Sequence, residues 1–70
     1  MGATYTAIVQ RADAWWIGWV EEIPGVNSQG ATRVELLDNL RDALEEALSM
    51  NREAARSAAP GAYEEVSLAL

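Results

Sequence analysis

Trp15, Trp16 and Trp19 crowd three large aromatic side chains into five positions, and Glu21 and Glu22 follow almost directly. Aromatic side chains at that density suit non-covalent recognition, because Trp is enriched among the residues that anchor protein interfaces, while neighbouring acids steer a basic partner. Covalent chemistry has no comparable equipment. The chain has no His and no Cys, and its basic residues are all Arg, so the usual general bases, activated nucleophiles and zinc, copper or iron–sulfur ligands are missing. The few Ser and Thr hydroxyls have no base to activate them, and Gly25 and Gly30 do not spell a phosphate loop. Asp13, Glu21, Glu22 and the acids of the expected helix remain as material for a metal or acid/base cluster. The simpler reading is a solvated face, since the helix acids lie opposite the apolar stripe. We therefore expect no catalytic residue, no metal and no cofactor, and take Trp16, Trp19, Glu21 and Glu22 as the candidate partner-binding residues. A nuclease remnant working through carboxylates alone would need three or more acids to converge in a cleft.

The charge balance narrows the partners. Eleven acids against five Arg give a net charge of −6. A phosphate backbone is held chiefly by Lys and Arg, so direct nucleic-acid binding is not expected. An acidic surface instead favours rapid encounter with a basic protein, though the charge also serves solubility. No apolar run approaches the roughly 20 residues of a membrane span, and the first residues lack a basic and apolar signal region, which together read as a cytoplasmic chain. Seventy residues make one small domain, and a domain of this size buries only about 60% of the surface its unfolded chain exposes. Self-association, as a dimer or larger, is expected to complete it.

The elements that position the tryptophans follow from local pattern. Residues 4–10 alternate, with Tyr5, Ala7 and Val9 on one side and Thr4, Thr6 and Ile8 on the other, as in a strand with one face more buried. Residues 11–14 make a polar middle of hairpin length, although the strong Asn-Gly or Asp-Gly pair is absent. The next strand, 15–22, sets Trp15, Ile17, Trp19 and Glu21 against Trp16, Gly18, Val20 and Glu22. Both faces are apolar, so one packs under a helix and the other exposes at least one Trp or is covered by a partner. Pro24-Gly25 suits the centre of a turn, residues 26–29 form a short third strand, and Gly30 lets the backbone turn towards the helix.

Thr32 and Glu35 spell a capping box, in which the Thr hydroxyl accepts from the Glu35 amide and the Glu35 carboxylate reaches back to the Thr32 amide. From Arg33 the residues Leu36, Leu37, Leu40, Ala43, Leu44, Ala47 and Leu48 keep helical spacing. This helix is placed at 33 to about 52, with nothing to stop it before 58. Residues 63–70 alternate again and read as a fourth strand. The expected fold is α+β, a two-layer β-β-β-α-β domain over residues 1–70, with one helix packed on one face of an antiparallel sheet.

In combination, the Tyr-containing first strand, Trp16-Ile17-Gly18-Trp19-Val20-Glu21, Pro24-Gly25, Ser28-Gln29-Gly30, Thr32, Glu35 and Asn39-Leu40 resemble the HicB-type antitoxin family. The resemblance covers about residues 5–48. It implies a domain that binds a small basic toxin which cleaves messenger RNA, and neutralises it by covering its active surface, with no catalytic residue of its own. Full-length family members commonly carry a further ribbon-helix-helix or helix-turn-helix region that binds operator DNA. Here the sequence stops at Leu70, so the resemblance implies the neutralising domain without that region. The alternative is an orphan stand-alone homo-oligomeric module with a different toxin partner or none.

Overall fold

The computed structural model describes residues 4–69. Three strands, β1 (Ala7–Ala12), β2 (Trp15–Val20) and β3 (Asn27–Gly30), precede one long helix, α1 (Arg33–Ser57). The strands form an antiparallel sheet in the order β1-β2-β3. Helix α1 lies across one face, which makes a two-layer α+β fold.

The β1–β2 hairpin closes in register Ala12↔Trp15, leaving Asp13 and Ala14 as its two-residue loop. Asp13 takes φ = 56°, a left-handed conformation that Asp tolerates better than most residues, so it does the work of the missing Asn-Gly pair. Between β2 and β3 the chain turns at Pro24-Gly25. Gly25 sits at φ = 88° and the Val26 N–H donates to the Ile23 carbonyl at 3.4 Å, the geometry of a type II turn.

Helix α1 starts where the sequence places it. The Thr32 Oγ1 accepts from the Glu35 N–H at 3.1 Å; the reciprocal bond to the Glu35 carboxylate is absent among the described residues. Gly30 ends β3 without a left-handed φ, so its role differs from the expected change of direction. A Cβ there would lie 2.6 Å from the Leu36 backbone nitrogen, and Gly30 is needed for this close approach of helix to strand. Asn39 Nδ2 donates to the Gln29 carbonyl at 2.9 Å, a second tie between α1 and β3.

The buried apolar core is small: Val20, Val26, Leu36 and Leu40, with Tyr5, Val9, Trp16, Ile23, Ala43, Leu44 and Ala47 packed around it. The apolar stripe of α1 therefore faces the sheet as its spacing requires, but only as far as Ala47. Every residue from 49 to 58 is exposed. The helix runs on because residues 50–58 are good helix formers without a stop signal.

The expected fourth strand is not formed within residues 62–69, which have no regular structure; Leu70 lies outside the described residues. A strand needs a sheet edge to pair with, and the overlong helix carries this segment away from its own sheet. Instead, Arg56 Nε donates to Glu65 Oε1 at 2.6 Å and holds residues 63–65 beside the end of α1.

Candidate protein interaction surface

Alternation along β2 sorts its side chains onto two faces. Trp16, Gly18 and Val20 point towards α1. Gly18 is the gap that admits the helix: a Cβ there would meet the Ile8 carbonyl at 2.8 Å and the Leu40 and Leu36 side chains at 3.1 and 3.2 Å. Trp16 is half-buried against the core, with the Arg11 guanidinium 5.8 Å from its ring centroid, within cation–π range.

Trp15, Ile17 and Trp19 point the other way, onto a face that no element among the described residues covers. Across from them stand Ala12, Gln10 and Ile8 of β1, with Gln29 opposite Ile17 and Asn27 opposite Trp19 on β3. Trp15 is 50% and Trp19 42% exposed, and Ile8 is exposed beside Trp19. This open face has no charged residue in its strands. Acids stand at its two ends, Asp13 at the hairpin loop and Glu21 just past β2, while Glu35, Asp38, Asp42, Glu45 and Glu46 lie on α1 in the other layer. An apolar strip with aromatic anchors and acids only at its rim can dock a complementary surface and attract a basic one.

The residues expected to act together are thus divided. Trp16 and Trp19 lie on opposite faces, and Trp16 serves the core side. Trp15 takes its place beside Trp19; the period-2 spacing of 15, 17 and 19 together with the gap at Gly18 was the signal for it.

Glu21 and Glu22 divide as well. Both are exposed in the bend after β2, and the Glu21 backbone N–H donates to the Thr6 carbonyl at 2.9 Å. The Glu22 carboxylate closes the same clamp, accepting from the Thr6 N–H at 2.7 Å. That backbone hydrogen bond holds its carboxyl below the ordinary carboxylate value. Glu21 keeps its side chain unpartnered among the described residues. Pro24, Gly25, Gly30, Thr32 and Glu35 all lie in the turn and the strand-to-helix junction, where they set geometry.

Among the described residues no three acids come together in a group able to hold a metal ion. Among these residues, too, no helix is long and apolar enough to cross a membrane. Comparison with protein-family models, with curated proteins and with solved structures finds no match.

Proposed function

We propose that this chain is a non-catalytic binding domain that neutralises a small basic mRNA-cleaving toxin in the cytoplasm by covering its active surface, as the resemblance to HicB-type antitoxins implies. The observation that supports this most is the open sheet face, where Trp15 and Trp19 stand half-exposed between acids at either end. The test is affinity capture on the full chain from native lysate, followed by an RNA-cleavage assay of any small basic protein recovered. The expected result is a ribonuclease whose cleavage stops at equimolar chain, with inhibition relieved by Trp19→Ala. A captured protein that does not cut RNA, or a nuclease indifferent to this chain, would remove the reading.

A second reading, an orphan homo-oligomeric module, has its own support. The accessible surface is 5828 Å², against about 4300 Å² for a folded monomer of this mass. The radius of gyration is 15.3 Å, against about 11 Å for a compact chain of this length. The excess surface exceeds the roughly 800 Å² that each partner buries in a standard interface. Self-association is compatible with the first reading as well, because binding to a toxin and to a second copy can use different surfaces.

A further inference from the structure

Beside the free edge of β1 runs an apolar groove of about 230 Å³, lined by Tyr5, Ala7, Val20, Leu37, Leu40 and Leu44, with Arg41 and Thr6 at its margin. The hydrogen bond from Glu21 to Thr6 fixes the phase of the β1–β2 ladder. Ile8, Gln10 and Ala12 exchange bonds with β2, and Ala7, Val9 and Arg11 direct theirs outward. Groove and edge together lack one extended strand.

The chain also presents an unused strand sequence. In residues 63–69, Glu64, Val66 and Leu68 share one side and Tyr63, Glu65, Ser67 and Ala69 the other. Val66 is 71% and Leu68 90% exposed. On an edge strand, Val66 and Leu68 would enter the groove.

This segment does not reach the groove of its own chain. Glu65 is anchored at Arg56, and the helix from there back to Leu44 rises about 18 Å. Residues 66–69 fully extended span about 14 Å at most, so they are spent before they could lie along β1.

We propose that residues 66–69 of one copy, the part beyond the Glu65 contact, add to β1 of a second copy as its fourth strand, over the groove between β1 and α1, so that two chains complete each other by reciprocal strand exchange. This sharpens the homo-oligomer reading and rests on it. The opposite sheet face stays open for another partner.

Two full-chain variants and their mixture test it. Ala7→Pro removes an outward edge donor without removing any β1–β2 bond, and Leu68→Asp puts a charge into the incoming strand. Both positions are exposed, and circular dichroism should show both variants folded. Sedimentation should show wild-type dimer, and each variant alone dimerising at least about tenfold more weakly, a loss of about 1.4 kcal/mol. An equal mixture should recover association, because an intact tail then meets an intact edge. A wild-type monomer would overturn self-association itself. Variants as dimeric as wild type would overturn only this interface, and a mixture that stays monomeric would overturn exchange between copies.

Discussion

The two faces of β2 differ less in composition than in fate. Trp16, Gly18 and Val20 are covered by α1, whereas Trp15, Ile17 and Trp19 are left open, although the second set is the more apolar of the two. Hydrophobicity therefore did not choose the face. Shape did: Gly18 leaves a hollow between Trp16 and Val20 into which Leu36 and Leu40 descend, while Ile17 fills the corresponding position on the other side. The covered face carries the stability of the fold, and the open face is free to carry binding.

That division is broken most directly by truncating one side chain on each face. Leu40 is 3% exposed in a core of four buried residues, so Leu40→Ala should cost about 3 kcal/mol in urea unfolding. Trp19→Ala should cost about 1 kcal/mol, the scale of its cross-strand pairing with Ile8. Equal losses at the two positions would mean that the open face is part of the monomer's core. Next in size is Gly18→Ala, expected to cost about 2 kcal/mol because backbone and core side chains must give way together. Gly61→Ala is its control, since a Cβ at Gly61 meets nothing within 4 Å. If Gly18→Ala were as mild as the control, the hollow would not be what admits the helix.

Much of this architecture was legible locally. The Pro24-Gly25 turn, the Thr32 cap and the leucine spacing of α1 are short-range signals, and each appears where its chemistry puts it. Two features were not legible. The choice between the faces of β2 depends on how closely a helix can approach, which alternation does not record. The fate of residues 63–69 depends on reach: their alternation marks a segment able to pair, but the length of α1 decides which edge is available. The candidate site suffered from the first of these. Trp16 and Trp19 share a residue type but not a face, and Glu21 and Glu22 look equivalent until the Thr6 amide is seen to engage only one of their carboxylates.

The smallest effect sharpens that last distinction. Glu22 binds the Thr6 N–H through its carboxylate, and its folded-state pKa is lowered by that bond. A carboxyl whose pKa is lower in the folded than in the unfolded state contributes stability above its unfolded value, and that contribution is lost as pH falls through the folded value. Glu22→Gln keeps an acceptor oxygen but has no proton to gain. Its melting temperature should therefore sit slightly below wild type at neutral pH, and the gap should close on acidification below the ordinary carboxylate range. Glu21→Gln leaves the backbone clamp intact, and its effect should fall on the association rate with a basic partner, where exposed charge acts by steering. Thermal unfolding of both variants across a pH series separates the two residues. A gap at Glu22 that does not depend on pH would show the clamp to be held by shape rather than charge.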